Sequence, residues 1–262
     1  MNQIPHPSAP PPDDAGRDLV VPCRILAASA PLRWLRLGWR DLRRAPGISL
    51  LYGAAIVLVS LAVSALAWWL GRFALLAALL SGFVFIAPLL AVGLYSVSRD
   101  LADGVRPTLA RSLRLMRRVI GQALVYALIL LVVLLVWSRA GLMIHVFFPA
   151  GEGDLRSLLE FLAIGSAVGS LFAALVFASA AFSLPLIAAR DVDMVTACLS
   201  SVNAVMRNKG VMIQWAAWIV LLTALGFATA FLGLALTMPW LAYAAWHACR
   251  ETLDASGWPA LD

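Results

Sequence analysis

Charge is the scarcest ingredient of this chain. Only 13% of its 262 residues are Asp, Glu, Lys or Arg, against about 25% in an ordinary soluble domain. Lysine is almost missing: Lys209 is the only one, so arginine carries nearly all of the net charge of +6. Acidic residues are absent from the interior of every long apolar run, which removes the usual marker of an ion or proton path. There are three cysteines, Cys23, Cys198 and Cys249, and no pair has metal-ligand spacing. The chain contains no Walker A loop, no GxSxG, no HExxH and no CxxC. These absences leave no catalytic residue, metal ligand or cofactor ligand to name, and the chain reads as non-enzymatic.

Apolar residues are what remains, at 62% of the chain. No soluble core hides that much apolar surface, so lipid is the expected solvent. Crossing about 30 Å of hydrocarbon takes about 20 apolar residues in a helix. Runs of that kind cover residues 48–70, 73–97, 119–137 and 158–189, and residues 211–248 form one run long enough for two helices. A turn near Phe231 to Gly233 divides it into spans 211–230 and 233–249. Leu142 to Phe148 is too short to span and either extends the third helix or lies at the interface.

The expectation is thus an all-α, polytopic membrane protein with six transmembrane helices in three hairpins, forming one domain over residues 24–251. Residues 1–23, rich in Pro and Asp, read as a disordered tail, and residues 252–262 as a second tail.

Basic residues orient the spans, because Lys and Arg accumulate on the cytoplasmic side. Under six spans, 17 basic residues fall on one side and only Arg72, Arg139 and Arg156 on the other. Both termini are therefore expected in the cytoplasm, with the protein in a bacterial inner membrane. All three cysteines share the basic side, where thiols stay reduced.

The odd-numbered spans begin alike. Gly47, Gly121 and Gly210 each follow an Arg by three residues and precede Tyr52, Tyr126 and Trp215 by five. Such rings suit the interfacial belt. The even-numbered spans carry Pro88, Pro185 and Pro239. An amphipathic stretch precedes each odd span. In the first, Leu32, Leu35, Trp39 and Leu42 form one stripe beside Arg33, Arg36, Arg40 and Arg43, with Arg44 next. In the second, Leu109, Leu113 and Met116 oppose Arg111, Arg114 and Arg118; in the third, Val195, Leu199, Val202 and Met206 line one face behind a cap at Asp193. A basic amphipathic helix beside a membrane typically lies in the interface. These arginines are the expected contacts with anionic headgroups, and nucleic acid is not an expected partner. The other source of such stripes is packing on the inner ends of the membrane helices.

Few polar groups enter the spans. Glu160 lies one turn after Arg156, and Gln122 and Gln214 are placed to tie helices together. Haem would need two facing histidines, but His145 and His247 fall on opposite faces of the membrane, so no cofactor is expected. Gly165, Gly169 and Ala173 give span four a small-residue face suited to close helix packing, within the bundle or between copies.

Three stretches carry a resemblance: Trp34-Leu35-Arg36-Leu37-Gly38-Trp39-Arg40-Asp41-Leu42, Pro88-Leu89-Leu90-Ala91-Val92-Gly93-Leu94-Tyr95, and Trp246-His247-Ala248-Cys249-Arg250. Through them the chain resembles an uncharacterised bacterial family of predicted integral membrane proteins, domain of unknown function 2189. The resemblance implies a membrane location and an all-helical fold, and no established activity. On function, the lack of polar groups in the spans favours a scaffold or accessory factor of an envelope complex, with a membrane-protein partner or a second copy of the chain. The competing expectations are a small-solute transporter or channel, with carbonyls freed at Pro88, Pro185 and Pro239, and a lipid-active enzyme using Asp100, Asp103, Asp191 or Asp193.

Overall fold

The computed structural model describes residues 19–70, 90–147 and 155–261. These form α1 (Ala30–Arg44), α2 (Pro46–Leu70), α3 (residues 90–102), α4 (Leu109–Phe147), α5 (Leu155–Ala189), α6 (Met194–Arg207), α7 (Lys209–Ala228) and α8 (Leu234–Thr252). Among the described residues there are no strands, only isolated bridges joining Cys23 to Leu253 and Arg190 to Ala260. Four helices are long and apolar enough to cross a membrane: Pro46–Leu66, Leu109–Met143, Leu159–Ala189 and Lys209–Ala228. The expected second span falls partly outside the described residues, which also leave out Arg72, Phe85, Pro88 and most of the N-terminal tail.

Local chemistry sets the breaks. Proline has no N–H to extend a preceding helix and disfavours helical geometry in the residue before it. Pro46 accordingly ends α1 at Ala45, whose N–H still reaches Asp41 O at 3.0 Å, and α2 starts afresh. Asp193 caps α6 by accepting from the N–H groups of Val195 and Thr196, both at 2.9 Å. The turn expected near residues 231–233 falls between α7 and α8, where Ala230 and Phe231 adopt φ of 52° and 70°. Thr229 holds it, donating to Gly226 O at 2.9 Å and accepting from Gly233 N at 2.7 Å.

In α5, Ser201 of α6 sits between Phe182 and Ala178. Its hydroxyl accepts from Phe182 N at 3.0 Å and donates to Ala178 O at 2.6 Å. That pair would otherwise bond directly, one turn apart. A side chain inserted into the ladder is a recognised cause of bending, and here it lies one turn before Pro185.

α8 occupies the centre, packed against α1, α2, α7 and α5, while α5 also packs on α4 and α6. Two glycines let α8 approach other backbones. A Cβ on Gly38 of α1 would lie 2.7 Å from Ala244 N and 2.9 Å from Trp240 O, and one on Gly53 of α2 would overlap the Ala235 carbonyl. The core around α8 contains Trp34 edge-on to Trp215, at 5.5 Å and 89°.

Several expectations need correction. Tyr52, Tyr126 and Trp215 are buried inside the bundle and do not face an interfacial belt. Thr108 to Arg118 is not a separate interfacial helix. Leu109 begins α4, which continues through Phe147, a length of about 58 Å at 1.5 Å per residue. Nothing in Leu109–Arg118 breaks a helix, and a helix that continues unbroken into a span cannot lie flat on the bilayer. α8, the counterpart of the sixth span, is not among the four helices apolar enough to cross on composition. The tails are shorter than expected. Val21 is fully buried and its N–H donates to Ser200 Oγ at 2.8 Å, while Leu253 and Leu261 are buried at the other terminus. Two extended straps result. Arg24 N bonds Thr252 O and Asp254 N bonds Pro22 O, both at 2.8 Å, and Asp191 N bonds Pro259 O at 3.0 Å.

Candidate functional site

The polar side chains gather at one end of the bundle, the end that also carries the straps and most of the described arginines. Asp41 of α1 is 3% exposed. Its Oδ2 accepts from Ser98 Oγ of α3 at 2.9 Å and lies 2.7 Å from His247 Nε2 of α8. A nucleophilic triad needs the histidine between the hydroxyl and the carboxylate. Here the carboxylate is central, so Ser98 has no base. The cluster joins three helices and does not activate a hydroxyl. His247, the histidine weighed as an iron ligand, is engaged by Asp41.

Neighbouring hydroxyls end on main-chain carbonyls. Ser49 donates to Ala45 O at 2.6 Å, so Tyr243 OH, 2.7 Å away, donates to Ser49. Ser112 donates to Gly93 O at 2.7 Å, so Tyr52 OH donates to Ser112 at 2.6 Å. Each chain is satisfied and neither leaves a spare proton acceptor. Among the described residues no group of His, Cys, Asp and Glu could hold a metal ion.

The arginines expected at headgroups divide into bound and free. Arg33 is held by Glu251 through Nε at 3.0 Å and through Nη2, and Trp34 Nε1 donates to the same carboxylate at 2.9 Å. Burial pushes Glu251 up, but the bonds from Arg33 and Trp34 outweigh it and hold the carboxyl below its ordinary range. Arg111 pairs with the buried Asp100, its Nε 3.2 Å from Oδ2. Burial nevertheless raises Asp100, because Arg111 only partly compensates the desolvation. Arg43 lies over the Trp39 ring at 5.1 Å, a cation–π contact.

Arg36, Arg40, Arg44, Arg114 and Arg118 are exposed and make no ion pair among the described residues. Arg114 and Arg118, with Arg99 and Arg111, line a cavity of about 170 Å³ between α3 and α4.

The third amphipathic face is turned outward. Ala197, Ser200, Ser201 and Ala204 of α6 are buried, whereas Val195, Leu199 and Met206 are 62%, 47% and 55% exposed. α6 approaches α5 closely through these small side chains, so Val195, Leu199 and Met206 point out, while Met194 at the start of the helix is buried. The stripe of large residues is legible in the sequence, but its direction is set by the small residues opposite. Gly165 has nothing within 4 Å of its Cβ position and Gly169 meets only Trp137, at 3.8 Å. The face made with Ala173 borders an apolar groove of about 390 Å³ between α4 and α5 rather than a tight helix contact.

Sequence reasoning missed Asn208. Its Oδ1 accepts from Leu26 N at 2.9 Å and its Nδ2 donates to Arg24 O at 3.1 Å and Ala204 O at 3.0 Å. An Asn between two helices was the available signal. Gln122 does tie helices, accepting from Met194 N at 2.9 Å, and Glu160 pairs with Arg156 at 3.0 Å.

A family model described as a predicted integral membrane protein (DUF2189) matches residues 75–189. The chain resembles that family over α3, α4 and α5, a stretch that includes the Pro88–Tyr95 motif but neither the α1 motif nor Trp246–Arg250. It is an integral membrane protein with several apolar helices. No curated protein and no solved structure matches.

Proposed function

We propose that the protein is a non-enzymatic accessory or scaffold protein of the inner membrane, six-spanning in three hairpins, with both termini and the arginine-rich end in the cytoplasm. The observation that carries this reading is the outward stripe of Val195, Leu199 and Met206 on α6. It lies outside the candidate spans, on a helix capped and anchored at both ends, beside Arg207. A solvated surface helix would present polar residues there. An apolar stripe bordered by arginine fits the inner leaflet and the membrane-level flank of a partner. Arg36, Arg40, Arg44, Arg114 and Arg118 supply free positive charge toward anionic headgroups, each contributing roughly 1 kcal/mol near such a surface.

The transporter reading is less well supported. The cavity among α2, α3, α7 and α8, about 340 Å³, is walled mainly by apolar side chains such as Ile56, Leu94, Ile219, Met238 and Leu241, and Tyr95 and Thr223 are the hydroxyl-bearing residues of its lining, which offers a polar solute few hydrogen bonds. The lipid-enzyme reading lacks a base beside a free hydroxyl among the described residues.

Two experiments test the proposal. A reporter active only in the periplasm gives signal at Gly151 and none at Asp262, and signal at Asp262 overturns the topology. Extraction of native membranes into nanodiscs yields the chain in a stoichiometric complex, which replacement of Val195, Leu199 and Met206 by Ser weakens while leaving insertion intact. A lone monomer in native nanodiscs overturns the accessory role.

A further inference from the structure

We propose that the cavity enclosed by the ends of α3, α5 and α8 and by the C-terminal strap binds a phosphate-bearing anion. It measures about 420 Å³, within the range of about 300–1,000 Å³ typical of small-molecule sites. Four guanidinium groups line it, those of Arg24, Arg99, Arg190 and Arg250, against the carboxylates of Asp103 and Asp254. Arg24 and Asp254 neutralise one another at 3.1 Å. Asp103 is the other acidic residue of the lining, and Arg99 also lies within electrostatic reach of Asp100, so the remaining three cations outnumber the carboxylates near them.

Two of these cations are already positioned. Arg99 donates through Nη1 to Ala188 O at 3.3 Å, and Arg190 through Nη1 to Trp258 O at 3.0 Å. One nitrogen of each guanidinium is fixed by a main-chain carbonyl. Nε and Nη2 make no further hydrogen bond among the described residues, which leaves a fork suited to two oxygens of one anion. Fixing the side chain beforehand lowers the entropy lost on binding. Arg250 makes no hydrogen bond or ion pair among the described residues and completes the set.

The second observation is independent of charge. Trp246, 3% exposed, lines the same cavity, and its indole Nε1–H has no acceptor among the described residues. A buried donor without an acceptor is destabilising; the nitrogen itself has almost no accessible surface, so an oxygen of a ligand in the cavity becomes its acceptor through a small shift of the indole. Three guanidinium groups and an indole N–H outnumber the two oxygens of a carboxylate. They suit the several oxygens of a phosphate, borne by a soluble molecule or by a lipid headgroup.

This site stands independently of the accessory role. Its walls are the two straps, joined by the bonds between Arg24 and Thr252 and between Asp254 and Pro22. An anion bridging Arg99, Arg190 and Arg250 therefore ties the straps to α3, α5 and α8.

The test uses the full chain, purified in a non-ionic detergent and in nanodiscs of phosphatidylcholine with or without phosphatidylglycerol. Thermal unfolding is followed while inorganic phosphate replaces chloride at constant ionic strength. Phosphate, or phosphatidylglycerol, is expected to raise the unfolding temperature saturably. Arg250→Gln, at an exposed residue with no structural partner, is expected to remove that rise while leaving the unliganded unfolding temperature unchanged. Trp246→Phe is expected to weaken binding about tenfold, the equivalent of roughly 1.4 kcal/mol. A response to inorganic phosphate identifies a soluble anion, and a response to phosphatidylglycerol alone identifies a lipid phosphate. The proposal is overturned if phosphate and phosphatidylglycerol act no differently from chloride and phosphatidylcholine, or if Arg250→Gln responds like the wild type.

Discussion

Replacing Gly38 by Ala puts one methyl group into the closest approach of α1 to α8. The new Cβ would stand 2.7 Å from Ala244 N, 2.9 Å from Trp240 O and 3.1 Å from Ala244 Cα. Unstrained contacts of this kind lie near 3.5 Å, so the helices must separate by about 0.8 Å to relieve the shortest one. All three obstructing atoms are backbone, and no rotamer change clears them. The same interface holds Trp240 Nε1 to Leu35 O at 2.8 Å, His247 Nε2 to Asp41 Oδ2 at 2.7 Å and Trp34 Nε1 to Glu251 at 2.9 Å. Stretching these by the same amount takes them to the edge of hydrogen-bonding distance. Overpacking costs about 1–3 kcal/mol, and weakening the three bonds adds about 1 kcal/mol more. The expected loss of roughly 2–4 kcal/mol lowers the unfolding temperature by on the order of 10 °C, measured by circular dichroism in neutral detergent. Ala244→Gly is expected not to rescue it, because the obstruction is main chain. An unchanged unfolding temperature in Gly38→Ala, or full rescue by Ala244→Gly, would refute the close packing of α1 on α8.

Asp41→Ala leaves Ser98 and the buried face of His247 without their acceptor, and a loss of about 2–3 kcal/mol is expected; addition of Ser98→Ala should cost little more, since both report one cluster, and fully additive losses would count against it. Acid should weaken the arginine-rich end. Glu251 is held below its ordinary range, with the bonds from Arg33 and Trp34 outweighing burial. At Asp193 burial is likewise outweighed, by bonds from Thr196 and Val195. A depressed carboxyl stabilises the fold above its unfolded pKa, near 4, and that stability is lost as pH falls through the folded value. Asp100, raised by burial, works the opposite way. Unfolding temperature should therefore fall below about pH 4, and Glu251→Gln should flatten that fall; an equally steep fall in the variant would remove Glu251 as its source. Asp193→Ala removes the cap from two N–H groups and should cost about 1 kcal/mol, read as faster amide exchange in the first turn of α6.

The sequence was most informative where one residue type decides the outcome locally. Pro46 separates α1 from α2, Asp193 caps α6, and the run over residues 211–248 turns where Ala230 and Phe231 take positive φ. It was least informative where a choice depends on residues far away. The α6 stripe reads as a buried or interfacial face until Ser200 and Ser201 are seen bonded to Val21 and Phe182. Arg33 reads as a headgroup contact until α8 brings Glu251 beside it, 218 residues along the chain. Leu109–Arg118 has the period of a surface helix, and the same period serves the first turns of the long apolar helix α4. The cavity of Arg99, Arg190, Arg250 and Trp246 draws on three helices and two straps, and no spacing in the sequence connects them.

α8 shows how polar side chains are accommodated at the centre of the bundle. Thr237, Pro239, Trp240, Tyr243, Trp246 and His247 keep it out of the four helices apolar enough to cross a membrane. A helix facing lipid could not carry them, because hydrocarbon offers no partners. α8 is instead enclosed by α1, α2, α5 and α7, and those neighbours supply the partners: Leu35 O for Trp240, Ser49 for Tyr243 and Asp41 for His247. The apolar helices α2, α4, α5 and α7 take the outer positions, where the protein leaves most of their apolar residues uncovered. Low hydropathy in α8 thus follows from its central position. Two polar groups of α8 have no partner among the described residues, the Thr237 hydroxyl and the Trp246 N–H. Of the two, only Trp246 borders the arginine-lined cavity, so the proposed anion would complete the bonding there and leave Thr237 as it is.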